Sequence, residues 1–229
     1  CIRDRATSQG LEAHVLSRGP SMANLALQGP RSREILRACF EAHRRAPALD
    51  QVAWFGASVG RIGGLAVWLT RTGYTGELGY EIFCAPAHGP EIWDALMAAG
   101  QPQGLKPMGS EALNILRVEA GLMAGGSEFV PGVDALEAGL GFAVNFKKDA
   151  FVGKTALERS RKAVRHQLVG LHFAGQEVPH QGDGVFVGRR QIGQITSAVM
   201  SPYLSAPLAL ARIAVESVSY THLRAHETK

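Results

Sequence analysis

Apolar and polar positions alternate along this chain in short runs, and their spacing predicts strands and helices in turn. Ala23–Gln28 reads as a short apolar strand, stopped by Gly29-Pro30. Pro30 suits a helix start, and Arg31–Phe40 then places Ile35, Leu36 and Cys39 on one face. Val52–Val59 and Leu65–Thr70 read as strands around a turn at Gly60–Gly64, with Tyr80–Cys84 as another strand. Helices are expected over Gly89–Ala99, ended by Gly100, over Ser110–Ala120 and over Gly153–Ala163. After Val164 the pattern turns to strands: Gln167–Phe173, Gly184–Val187, Gln191–Val199 and Leu208–Ile213, with a tight turn at Gly188-Arg189. This shift marks a domain boundary near Lys162–His166.

Composition adds limits. The 229 residues are 46% hydrophobic and 19% charged, which suits one large or two small globular domains. A net charge of +4, with no long basic block, is compatible with an anionic ligand and gives no case for nucleic acid. Three cysteines, Cys1, Cys39 and Cys84, form no Cys-x-x-Cys pair, so neither a disulfide framework nor a metal site is expected and a reducing compartment fits. No apolar run reaches the roughly 18 residues of a membrane helix and no signal peptide opens the chain, so a cytoplasmic protein without membrane contact is the expectation.

The segment richest in chemistry is Arg71–Ile82, RTGYTGELGYEI. Gly73, Gly76 and Gly79 allow positive φ or close approach to a ligand, Tyr74 offers a flat face and a hydroxyl, and Glu81 leaves the turn into a strand. A pterin ring needs flat apolar surfaces and a carboxylate for its N–H edge, which Glu81 could supply. Read from the residues alone, the segment fits a glycine-rich hairpin with an exposed glutamate better than a ligand site. His222 and His226 lack a third ligand, and His166, His172 and His180 suit core-edge or surface positions. The basic run Arg159–Arg165 reads as a solvated helix face and linker. Gly60–Gly64 does not precede a helix, so a dinucleotide loop is excluded there.

Gly73–Ile82 also resembles the G-Y-T-G-E-x-G-x-E-I segment of the glycine-cleavage T-protein, or aminomethyltransferase, family. Leu116–Gly121 resembles its L-R-x-E-A-G segment. Leu27–Pro30, Phe151–Lys154 with Ala156-Leu157, and Ser201-Pro202 before Leu208–Arg212 agree with the family in the same order. The resemblance implies an α+β fold, with antiparallel sheets and flanking helices followed by a β-barrel. It implies a folate-binding domain over residues 6–163 lacking its N-terminal part, and an incomplete barrel domain over 164–214. Residues 1–5 and 215–229 lack the family pattern, and SYTHLRAHETK resembles translated adapter sequence, so these ends are expected to be non-native. The implied activity is transfer of a one-carbon unit from a small amine-type donor, carried in glycine cleavage on a lipoyl protein, to tetrahydrofolate. Tyr74, Glu81 and Phe142 are the positions the resemblance assigns to the folate site, with Glu77 holding the turn.

The family's catalytic aspartate has no match among Asp4, Asp50, Asp94, Asp134, Asp149 and Asp183, so no catalytic residue is assigned. Leu113 stands where glycine-cleavage members carry an arginine, and a leucine offers no bidentate fork. This points to a donor other than the glycine-derived one, such as another small methylated amine, ether or sulfur compound. Met123–Phe129 also departs from the family's usual text, and Arg117 and Glu119 read as an ion pair within or beside their helix. Two other readings stay open. One is the folate-binding module of a larger sarcosine or dimethylglycine dehydrogenase. The other is a non-catalytic folate-binding protein, disfavoured because Phe151 and neighbours lack that group's cysteine and glutamine.

Overall fold

A computed structural model of the chain describes residues 19–218 and the backbone of 224–226. Cys1, Asp4, residues 1–5, His222 and the side chain of His226 lie outside the described residues. The fold is α+β, with two five-stranded antiparallel sheets, and divides into two compact units. Among the described residues, the first comprises 19–73 and 77–107, the second 74–76, 108–218 and 224–226.

In the first unit the strands are β1 (Ala23–Gln28), β2 (Phe40–Ala42), β3 (Ala57–Ile62), β4 (Leu65–Thr70) and β5 (Gly79–Cys84), in the order β1-β5-β4-β3-β2. Helices α1 (Ser32–Cys39) and α2 (Gly89–Gly100) cover one face. Alternation decides which side chains meet them: Tyr80, Ile82 and Cys84 of β5 join Val67 and Leu69 of β4 against Ile35, Leu36, Ile92 and Leu96. The Tyr80 hydroxyl, at the centre of this core, accepts a hydrogen bond from Arg33 Nε at 2.9 Å.

Two expectations change here. The helix expected to reach Phe40 ends at Cys39, because Phe40 turns into β2 and buries its ring. The strand expected from Val52 starts only at Ala57; Phe55 holds φ 58 and leaves an irregular turn before it. The turn between β3 and β4 narrows to Gly63-Gly64, both at positive φ, as a two-residue hairpin requires. Gly60 lies within β3, where a Cβ would come 2.2 Å from the Glu41 carbonyl.

The second unit holds α3 (Ser110–Glu119), α4 (Lys154–Arg161) and strands β6 (His166–His172), β7 (Gly184–Val187), β8 (Arg190–Ser201), β9 (Ala206–Ala214) and β10 (Arg224–His226). The sheet order is β10-β7-β8-β9-β6. Its inner face buries Val185, Ile192, Ile195, Ala209, Ala211 and Ile213. Its outer face is also buried in part, since Val118 and Ile115 of α3 pack on Val199, Leu208 and Leu210. Gly188-Arg189 forms the expected two-residue turn, with Val187 opposite Arg190.

Candidate functional site

Glu81 lies on the face of the first sheet turned away from α1 and α2, because its neighbours Tyr80 and Ile82 point into the core. Thr70 of β4 and Ala26 of β1 stand opposite it. Asn24, one diagonal step along β1, donates its Nδ2 hydrogen to Glu81 Oε1 at 2.8 Å. The Thr72 hydroxyl donates to Oε2, and Thr70 Oγ1 lies 2.6 Å from Thr72 Oγ1. The carboxylate is thus held at both oxygens, with lone pairs remaining for further donors. Beside it on the same face, Trp68 and Phe83 stand opposite one another and line a groove of about 780 Å³, whose wall does not include Glu81, Asn24 or Thr72. A fixed carboxylate next to two aromatic side chains suits a flat heterocycle with an N–H edge. Asn24 and the two threonines escaped the sequence reading; the antiparallel pairing of β1 with β5 is the signal that places Asn24 there.

Tyr74 belongs to the second unit, with Thr75 and Gly76. Its hydroxyl donates to the main-chain carbonyl of Met123. Burial pushes its phenol pKa up, offset in part by the Arg117 charge, and the group stays neutral. Phe142 sits in a single helical turn, Gly141–Ala143, and the residue is 86% exposed. The glycines of the segment serve different ends. Gly76 alone takes positive φ. Gly73 and Gly79 both close on the Gln28 side chain, whose amide bonds the carbonyls of Thr72 and Tyr80 at 3.3 Å. Their close approach is therefore to a side chain of the protein itself.

Arg117 and Glu119 do not pair with each other. Arg117 reaches across to Glu128, Nη1 to Oε2 at 2.9 Å, with both side chains buried. It also donates to Asn114 Oδ1 at 2.9 Å and to Ser197 Oγ at 2.8 Å. Glu119 instead accepts the hydroxyl of Ser201. Glu128 collects three more donors: the Ala124 N–H at 2.8 Å, Thr196 Oγ1 at 2.7 Å and Ser197 Oγ at 2.6 Å. Burial alone would push its pKa up, but these hydrogen bonds and the Arg117 charge together hold it below the usual value. Asp50, Asp134 and Asp183 have structural partners, respectively Arg37, the Leu136 and Glu137 N–H groups with the Ser160 hydroxyl, and the His180 N–H.

Known proteins resemble this chain over most of its length. Residues 2–148 match the GCVT N-terminal domain, and residues 166–226 match the glycine cleavage T-protein C-terminal barrel domain. The chain is 43% identical over 219 residues to the trimethylamine-oxide aldolase of Ruegeria pomeroyi, covering 93% of this chain and 28% of that protein. It is 37% identical over 210 residues to the aminomethyltransferase of Halothermothrix orenii, covering 91% of this chain and 57% of that enzyme. The crystal structure of aminomethyltransferase T from Bartonella henselae superposes with a TM-score of 0.77 at 25% identity, over 90% of this chain and 55% of that one. The chain thus spans little more than half of the aminomethyltransferases it matches, and a smaller share of the aldolase. With a family domain matched over more than half of its length, and a second over its barrel strands, the chain belongs to the glycine cleavage T-protein family.

Proposed function

We propose that this chain takes part in moving a one-carbon unit from a small methylated-amine donor to tetrahydrofolate. The observation that carries the reading is the Glu81 carboxylate, fixed by Asn24 and Thr72 beside Trp68 and Phe83. That donor set fits a reduced pterin: an anionic acceptor for the amino-pyrimidinone N–H groups, and aromatic faces for its ring. When bound, tetrahydrofolate supplies the nitrogen that accepts the one-carbon unit. The protein's part is to orient the ring, with the Glu81 carboxylate fixed by its two hydrogen-bond donors.

Leu113 and the 43% identity to a trimethylamine-oxide aldolase both support a methylated amine or its oxide as donor, in preference to an aminomethyl group carried on a lipoyl protein. The small share of that aldolase covered also supports a second reading, in which this chain is the folate-binding module of a larger protein. Replacing Glu81 by Ala is expected to weaken binding of 5-formyltetrahydrofolate, followed by calorimetry, by about 1.5–3 kcal/mol. Unchanged affinity would remove Glu81 from the site.

A further inference from the structure

A groove of about 600 Å³ runs along the outer face of the second sheet. Its floor is set by strand register. Gln194, Arg212 and Leu168 form one row across β8, β9 and β6, and Ala214 with His166 forms the next. The methyl group of Ala214 leaves depth where a larger side chain would fill the floor. Pro131, Gly132, Val133 and Glu137 make the opposite wall.

Two arginines, Arg165 and Arg212, line the groove. Arg212 is fixed, because one Nη2 hydrogen bonds the main-chain carbonyl of Glu128 at 3.0 Å. A guanidinium has five N–H donors, so most of its fork remains for a ligand. Arg165 has its backbone pinned by the Val215 N–H at 3.0 Å, and its side chain makes no hydrogen bond or ion pair among the described residues. The acid in the groove, Glu137, lies 3.6 Å from His166 Nδ1. The titratable groups facing the space are therefore two arginines, one histidine and one carboxylate.

We propose that this groove is a binding site for a small organic acid, held by its carboxylate between Arg212 and Arg165. A planar carboxylate matches the guanidinium fork. A dianion such as phosphate is disfavoured because Glu137 would repel its second charge. The site is independent of the folate reading, since all its residues belong to the second unit.

The test is a titration of the ¹⁵N-labelled chain with propionate, followed by NMR at constant ionic strength. Saturable shifts at the amides of Gly132, Gly193 and Ala214 are expected. Arg165→Gln, at an exposed position, should weaken binding about fivefold. Ala214→Leu should abolish it by filling the floor while both guanidinium groups remain. Shifts that stay linear and spread over all surface arginines, binding untouched by both variants, or phosphate binding as tightly as propionate would each overturn the proposal.

Discussion

Gly76 shows what one position in the RTGYTGE segment has to satisfy. Its φ is +78°, a region that side chains with a Cβ enter at a cost of about 1–2 kcal/mol. A Cβ built there would come 2.5 Å from the Cβ of Ala120, well inside contact distance. The two effects act together, so Gly76→Ala is expected to destabilise the protein by about 2–4 kcal/mol in urea unfolding. A second substitution, Ala120→Gly, removes the clash but leaves the backbone strain. The double variant should therefore recover part of the loss and no more. Full recovery would mean that φ carries no cost here. No recovery would mean that Ala120 is not the obstacle. Gly73 and Gly79 answer to a different neighbour, Gln28, although all three glycines look alike in the sequence.

Strand β8 reaches Glu128 through an irregularity in its ladder. Ile195 stands opposite Ala211 and Ser197 opposite Leu210, so Thr196 is an extra residue in the ladder. In a regular strand adjacent side chains point to opposite faces, yet Thr196 and Ser197 both reach Glu128 Oε1. Deleting Thr196 restores a regular ladder and leaves Ile195 and Ser197 on their present faces. The shortened chain is expected to fold, losing about 1.5–3 kcal/mol for one hydrogen bond to a buried charge. Deleting Ala198 instead moves Val199 and Ser201 to the wrong face, and cooperative urea unfolding should be lost. Equal effects of the two deletions would refute the bulge as an independent unit. The same strand marks the limit of what the sequence discloses. Strand and helix positions were legible wherever one face alone is apolar, as in β1, β4 and α2, whose predicted spans match the structure closely. Ile195 and Val199 have the same parity but lie on opposite faces, and alternation could not separate them because α3 buries the outer face too. The same holds for the candidate site. Glu81 stands out in a motif, whereas Asn24 and Glu128 matter through partners that only strand pairing or burial brings near.

The two compact units differ in how their charges are held, and this sets their response to acid. In the second unit, burial works to raise both the Glu128 and Asp134 pKa values, yet hydrogen bonds lower them on balance. In the first unit Asp50 is lowered chiefly by its hydrogen bond from Arg37, but that pair is exposed and screened by solvent. A carboxylate whose folded pKa is depressed contributes stability above its unfolded pKa, and loses it as the pH falls through the folded value. For Glu128 and Asp134 that loss begins near about pH 4, where unfolded carboxylates titrate, and deepens below it. Protonating Glu128 also leaves the buried Arg117 charge without its counter-ion, which makes the loss steep. Native-state hydrogen exchange followed by mass spectrometry, corrected for the intrinsic pH dependence, is therefore expected to show β8 and the 122–130 loop losing protection first. Strands β4 and β5 should hold to lower pH, since no buried carboxylate partner supports their core. The Glu128→Gln variant separates this cause from general acid lability. It should be less stable at neutral pH, because an amide cannot replace an anion beside Arg117. Its second unit should also show a flatter pH dependence between pH 5 and pH 3, as the main titrating group is gone. If β4 and β5 open first, or if the variant keeps the slope of the parent, the buried Glu128 cluster is not what sets the acid limit of this fold.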